Sequence, residues 1–381
     1  MGQAWFGRLI MSKTFIIFML CLLVTGCGGG GSNSITACTS LDCQTSKYSL
    51  LLADVDFTQL SPMATNITVV TTSGYQDMTH PRVSPDKNWV AYTTYNVANS
   101  DGCASTDSGY VNTEIKAARL DGGVTKSIIP MSSGELNSNN YWYGSNFEFT
   151  FLSGAPGSTK VYYAQTDINM NLIAGPTEVT IPSTILPYDP QAISDSRLVY
   201  GGQYDNKGLG LAKSIFLQSI SSPGTSVGLT LGRDSVGTIL YGNDIAENDP
   251  KLSPDGTQVA FMRRVPNAGV NGFGWRIFVV ATANPPQLNE VNISTALGSS
   301  QLNNDVLPQW VDNTNLVFAN IDSTTTVNTR TIYTMQSDGS DRKQVMLPDG
   351  YRYSDVYPFV DGAGQQKIVV SAEKIAVSCA P

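Results

Sequence analysis

The chain has 381 residues, 41% hydrophobic and only 14% charged, with 35 Gly, 19 Pro and 17 Tyr. A mixture this rich in apolar residues and turn formers excludes a disordered chain and suits many short strands joined by tight bends. The 31 acids against 23 Lys and Arg give a net charge of −8 at pH 7, which disfavours nucleic acid and anionic lipid as partners.

From Met11 the chain reads MSKTFIIFMLCLLVTGC, with Lys13 as a positive flank, an apolar run from Phe15 to Val24, and Thr25 and Gly26 before Cys27. The run is shorter than the about 20 residues of a membrane span and has the form of a cleaved targeting segment. It resembles a bacterial lipoprotein signal, its VTGC ending matching the lipobox. The resemblance implies that residues 1–26 are a signal peptide and that Cys27 is diacylated, freed as the new N-terminus and acylated again. An uncleaved anchor or an ordinary secretion signal is the alternative. Residues 27–46, opening with GGGGSNS after Cys27, read as lipid anchor and flexible linker. Gly28 stands where an Asp is absent, which in the Gram-negative lipoprotein family implies transfer to the outer membrane, where several acyl chains hold far better than one.

Loss of residues 1–26 removes Arg8 and Lys13 and no acid, leaving 21 cations against 31 acids, or −10. Besides Cys27, the cysteines Cys38, Cys43, Cys103 and Cys379 remain. An even number in an exported chain suggests two disulfides, with three connectivities open. Zinc is the weaker reading, because the spacings are irregular and the export route oxidising.

Residues 47–70, KYSLLLADVDFTQLSPMATNITVV, offer two strands, and after them one hairpin recurs. It reads HPRVSPDKNWVAYTT at 80–94, a degenerate YWYGSNFEFTFLSG at 141–154, and DPQAISDSRLVYGG at 189–202. It returns as DPKLSPDGTQVAF at 249–261, LPQWVDNTNLVFAN at 307–320 and YPFVDGAGQQKIVVSA at 357–372. Pro190, Pro250, Pro308 and Pro358 follow one another at 60, 58 and 50 residues, and Pro81 precedes Pro190 by 109, or two units, which makes six copies. In SPDG, Ser253, Pro254 and Gly256 suit the first, second and fourth positions of a type I turn. Beyond it Val259 and Phe261 point one way, Ala260 and Met262 the other, so the strand is apolar on both faces. Third strands begin near Glu114, Lys160, Ser214, Arg276 and Thr331, several ending in turns from which a fourth strand returns.

A four-stranded unit of about 50 residues with two apolar faces buries both only by stacking radially. The expected fold is therefore all-β: a six-bladed β-propeller of four-stranded antiparallel blades over residues 47–381. The last copy supplies only two strands, so the N-terminal strands are expected to join the last blade and close the ring. A two-sheet sandwich is the alternative. HPRVSPDKNWVAY and DPKLSPDGTQVAFM, followed by RIFVVAT or TIYTMQSDGS, resemble the WD40-like repeats of TolB-like six-bladed propellers, over residues 47–375. The resemblance implies docking of envelope proteins and peptides at one propeller face. It is poor in the unit at 141. Members with an α/β domain ahead of the propeller differ from this chain, in which about 20 residues separate Cys27 from the first strand.

Chemistry is constrained by a shortage. His80 is the one histidine, which excludes a multi-histidine metal centre. GTSVG around Ser226 matches a nucleophile elbow but lies between strands, where that motif needs a strand, a sharp turn and a helix. No phosphate loop, calcium loop or cofactor motif is found. What remains is a surface. The segments leading into the innermost strands gather at one mouth of the channel and carry Asp77, His80, Asp189, Asp249, Asp305 and Asp355, a negative funnel for a basic peptide, a cation or a polar glycan. The plain alternative is that Asp before Pro only shapes its own loop. Long connections near Cys103, Gly202, Val265 and Asp322 add Tyr95, Tyr110, Tyr204, Phe273 and Trp275 as anchors or as packing.

The leading expectation is an outer-membrane lipoprotein whose non-enzymatic propeller binds an envelope protein or peptide, touching membrane through its lipid alone, without nucleic acid, cofactor or metal. The alternatives are a propeller that binds or cleaves a glycan with channel-mouth carboxylates, and a structural subunit of an envelope assembly.

Overall fold

Alternation along the second strand of each repeat decides how the chain packs. In the strand Gln258–Pro266, Val259 and Phe261 join one apolar cluster, Ala260 a second and Met262 a third, and all four are buried. Leu316 and Phe318 face one neighbour while Val317 and Ala319 face another. Each sheet is thus greasy on both sides, as the sequence pattern requires.

The computed structural model describes residues 48–73, 76–96, 113–132, 134–192, 197–205, 211–220, 225–230, 247–266, 273–283, 291–294, 303–322 and 329–374. Cys27, Cys38, Cys43, Cys103, Cys379, Tyr110 and the signal segment lie outside the described residues. The described residues form twenty-four strands in six four-stranded antiparallel sheets, with no helix among them. Blades 1 to 5 occupy residues 76–129, 136–178, 185–228, 247–292 and 303–344, each in chain order from the innermost strand outward. Innermost strands touch from blade to blade, and the innermost strand of blade 6 touches that of blade 1, closing a six-bladed β-propeller. Six hydrophobic clusters fill the six interblade gaps, one each. A fully buried Leu, Val or Phe contributes about 1.5–3 kcal/mol relative to exposure, and no isolated blade could realise that on both faces.

Two further repeats hold the blades. In blades 2 to 5 an aromatic pair faces across the second and third strands: Phe151 and Tyr162, Tyr200 and Phe216, Phe261 and Phe278, Phe318 and Tyr333. Their centroids lie 5.5–5.9 Å apart. Between blades, buried indoles act as staples. Trp142 Nε1 donates to the Arg82 carbonyl at 3.2 Å and Trp310 Nε1 to that of Lys251 at 2.8 Å.

Blade 6 is built from both ends of the described chain. Its strands Tyr351–Val360 and Gln366–Lys374 are followed by Tyr48–Asp54 and, outermost, Thr65–Ser73. Leu50, Leu51 and Leu52 pair with Ser371, Val370 and Val369, and Asp54 forms an ion pair with Lys367. The closure expected from the two-strand deficit of the last repeat is the one observed.

The bend of blade 4 closes from Gly256 N to Ser253 O at 2.8 Å, and Ser253 Oγ reaches both the Asp255 carboxylate and the Gln258 amide. Ser84, Asp86 and Trp89 repeat this in blade 1.

Candidate functional site

Every innermost strand carries a β-bulge part-way along, between Thr79 and Arg82, Ser138 and Tyr141, Tyr188 and Gln191, Asn248 and Lys251, Val306 and Gln309, and Tyr353 and Val356. In blades 1 to 5 the first bulge residue is left-handed: His80 (φ 53°), Asn139 (55°), Asp189 (46°), Asp249 (54°) and Leu307 (57°). That conformation costs an L-residue about 1–2 kcal/mol, so its recurrence at one level of the ring is a built feature. A proline follows in four of the five, and its missing N–H suits an unpaired bulge position. Blade 2 makes the same bulge from Asn139 and Asn140 without proline. Blade 6 departs from the proline ladder: its bulge holds Ser354 and Asp355, while Pro358 sits in the regular ladder opposite Ile368.

The bulges turn polar groups toward neighbouring blades. Asp189 accepts from the Asp249 amide at 3.0 Å and from Asn139 Nδ2, joining blades 2, 3 and 4. Asp355 accepts from the His80 amide at 3.2 Å, joining blade 6 to blade 1. Two cations lie among them. Lys251 Nζ donates to Asp249 Oδ1 and to the Pro250 carbonyl. Arg82 is buried between the rings of Tyr141 and Tyr357, 5.3 Å from each centroid, and donates to the Pro81 carbonyl at 2.7 Å.

Burial pushes the His80 imidazole below its ordinary range, Asp355 opposing and Arg82 adding to the effect, so the ring is neutral at pH 7. Burial raises the Asp189 carboxyl, with Asp249 beside it, and lowers the Lys251 ammonium. Asp77 is pushed up to about 6 by burial and then by the charge of Asp355. His80 Nδ1, Asp249 Oδ2 and Arg82 Nε are buried without a hydrogen-bond partner among the described residues. Each such group costs about 1–3 kcal/mol until something satisfies it.

Asp77 yields a pH prediction. Its carboxyl binds a proton more tightly in the folded chain (about 6) than in the unfolded one (about 3.9), so its favourable contribution is complete below about pH 4 and is lost as pH rises through 6. Asp77→Asn is expected to stabilise the fold by up to about 2–3 kcal/mol at pH 8 and by nothing measurable at pH 4, read as the shift in urea midpoint at the two pH values.

The six predicted site residues divide. Asp77, His80, Asp189, Asp249 and Asp355 belong to this axial group, with Asp249 and Asp355 buried rather than lining an open funnel. Asp305 stands apart. It is fully buried, held by Arg342 at 2.7 and 2.8 Å and by Asn320 Nδ2 at 2.7 Å. Of the aromatic candidates, Tyr95 joins the group, its hydroxyl raised by burial and by Asp355 and Asp189. Tyr204 and Trp275 pack against interblade cores. Ser226 bonds Tyr200 and Gln218 in an outer strand, far in kind from a nucleophile elbow. Arg82, Lys251, Tyr141 and Tyr357 were not singled out by the sequence reading. Arg82 and Lys251 each directly follow a bulge proline, which was the available signal. Among the described residues no group of three or more His, Cys, Asp or Glu is arranged to hold a metal.

No known family pattern and no curated protein matches the sequence. Among solved structures, a hydrazine synthase of Kuenenia stuttgartiensis is similar over 87% of this chain and 47% of its own, at 10% identity and TM-score 0.53. This chain thus spans about half of that one. A protein assigned as TolB from Agrobacterium tumefaciens is similar over 79% of this chain and 88% of its own, at 13% identity and TM-score 0.47. An oligogalacturonate lyase solved with manganese matches over 76% and 69%, at 14% identity and TM-score 0.46. At such identities the likeness concerns the fold alone.

Proposed function

We propose that this chain is an envelope lipoprotein, anchored through Cys27 in the outer membrane, whose propeller is a non-enzymatic scaffold that binds another envelope protein or a peptide at the channel face. The observation that carries the reading is the bulge ring. Strained residues at one level of five blades and the bulge of blade 6 bring Asp189, Asp249, His80 and Asp355 together, with Asp249 Oδ2 and His80 Nδ1 left without a hydrogen-bond partner among the described residues. With Asp77 above them, and with Arg82 and Lys251 among them and Arg330 acting on Asp77 as the opposing cations, the group favours a cationic side chain entering along the axis. The lipid anchor and the outer-membrane address rest on the VTGC segment.

The test is capture of envelope proteins by the full chain. The triple variant Asp77→Asn, Asp189→Asn, Asp355→Asn, checked by circular dichroism for an intact fold, is expected to recover at least tenfold less partner. Unchanged recovery removes the acidic channel from the account. Mass spectrometry of Cys27 for acyl chains tests the anchor separately.

One observation favours a second reading. Asp77 holds its proton to about pH 6 in a buried position near Asp355, and a carboxyl raised in this way serves as the general acid in glycan cleavage. Release of reducing ends from acidic or neutral polysaccharides, abolished in Asp77→Asn, would select that reading over the scaffold.

A further inference from the structure

A cleft of about 270 Å³ opens between blades 6 and 1, at the hairpin end of the blades, opposite the end at which Asp77 lies. It is lined by the hairpin turns of both blades and by the third-to-fourth-strand turn of blade 1. Leu52, Leu120 and Phe359 give it an apolar floor continuous with the interblade core. Lys87, Arg119 and Lys367 stand around it with Asp121 and Asp361.

The charged groups are not equivalent. Lys367 is engaged by Asp54 and by Asp361, the latter at 3.5 Å. Arg119 gives Nε and Nη2 to Asp121, which leaves Nη1 outside that pair. Asp86 accepts from Ser84 Oγ, the Asn88 amide and Asn88 Nδ2, so it is satisfied within its own turn. The Lys87 ammonium has no hydrogen-bond or ion-pair partner among the described residues, and burial draws it below its usual value.

Backbone conformation sharpens the contrast. Lys87 lies in the left-handed region at φ 63°, its amide closing the turn onto Ser84 O at 3.0 Å. Blades 4 and 6 put glycine at the corresponding step, Gly256 (φ 73°) and Gly364 (φ 84°), which pay nothing for it. Blade 1 holds a lysine in a conformation glycine would adopt freely; the charge of Asp86 acts on its ammonium, but among the described residues no carboxylate comes within ion-pair distance of it.

We propose that this cleft binds a small organic carboxylate, its apolar body on Leu52, Leu120 and Phe359 and its carboxylate on the Lys87 ammonium, with Arg119 Nη1 as second donor. The site is independent of the channel-face reading and shares no residue with it. A body of one ring or a short alkyl chain fills the volume, and a ligand of that size binds with a Kd on the order of 1 mM.

The experiment is ligand-observed NMR with the purified full chain, using 4-phenylbutyrate as probe and its neutral amide as control. The acid is expected to bind at least tenfold more tightly than the amide. Lys87→Gly is expected to weaken the acid at least fivefold while leaving the unfolding temperature unchanged or raising it by about 1–2 °C, since the turn loses its strain. Lys87→Arg keeps the charge and retains binding. Equal binding of acid and amide, unchanged affinity in Lys87→Gly, or no binding of the acid at 10-fold the expected Kd of about 1 mM would each overturn the site.

Discussion

Arg342→Ala is expected to destabilise the propeller by about 3–5 kcal/mol, read from the urea midpoint at neutral pH. The guanidinium is nearly buried, forks onto both oxygens of a fully buried Asp305, and lies over the rings of Tyr333 and Phe318 at 4.5 and 4.8 Å. Removing it leaves a carboxylate in the blade with Asn320 as its one remaining hydrogen-bond donor among the described contacts. The penalty is that of a buried charge stripped of its paired cation and not the worth of the pair, and it falls toward the lower end of that range because the charge of Arg276 also acts on Asp305. The double variant Asp305→Leu, Arg342→Met is therefore expected to recover most of the loss, because a buried ion pair replaced by apolar groups of similar volume is often neutral or stabilising. A single variant within about 1 kcal/mol of the parent would mean that water reaches Asp305. Blade 4 uses the same device. Glu247 is fully buried against Arg263, whose guanidinium lies 4.6 Å from the Phe278 centroid, and Thr230 Oγ1 donates to the same carboxylate.

These pairs show where sequence reading stops. Blade number, strand alternation and ring closure were legible because each depends on local pattern: Val259 and Phe261 against Ala260 declare two apolar faces whatever lies beyond them. The turn at Ser253 was legible for the same reason. Arg342 lies 37 residues from Asp305, and nothing in the spacing joins them; only the sheet does. Hence Asp305 read as one of a ring of free carboxylates when it is part of a wall. The proline ladder was a true marker of the bulge in blades 1, 3, 4 and 5 and a false one in blade 6, where Pro358 tolerates a regular ladder site and Asp355 reaches the axis from a displaced bulge. Blade 2 hid its bulge because Asn139 takes the left-handed conformation without a following proline, as asparagine does more readily than most residues. The cations on the axis were missed for a simpler reason. Arg82 and Lys251 stand one residue beyond the prolines, where a strand position alone does not tell an axial cation from a solvated one.

Removal of residues 48–73 is expected to abolish the cooperative unfolding transition altogether. Leu50, Leu51 and Ala53 are each at most 2% exposed and pack in the cores on the two sides of blade 6, so both of its interfaces lose their outer half. The strand Gln366–Lys374 then becomes an open edge carrying Ile368, Val369 and Val370, an invitation to association. A milder variant keeps the claim measurable where the truncated chain does not accumulate: Leu51→Ala should cost about 2–5 kcal/mol, at the upper end because its neighbours Val370 and Val356 belong to a rigid ladder that cannot collapse into the void. The two contributions differ in kind. Leu51 measures one side chain in one gap, whereas the whole segment measures closure between groups 313 residues apart, such as Asp54 and Lys367. Closure over such a span carries a large entropy cost that is met only when every interblade core is in place, so the ring should form last and the clasp should govern unfolding of the whole. A chain without residues 48–73 that unfolded at the parent midpoint would show that five blades and a half are stable alone, and that the N-terminal strands decorate the ring instead of closing it.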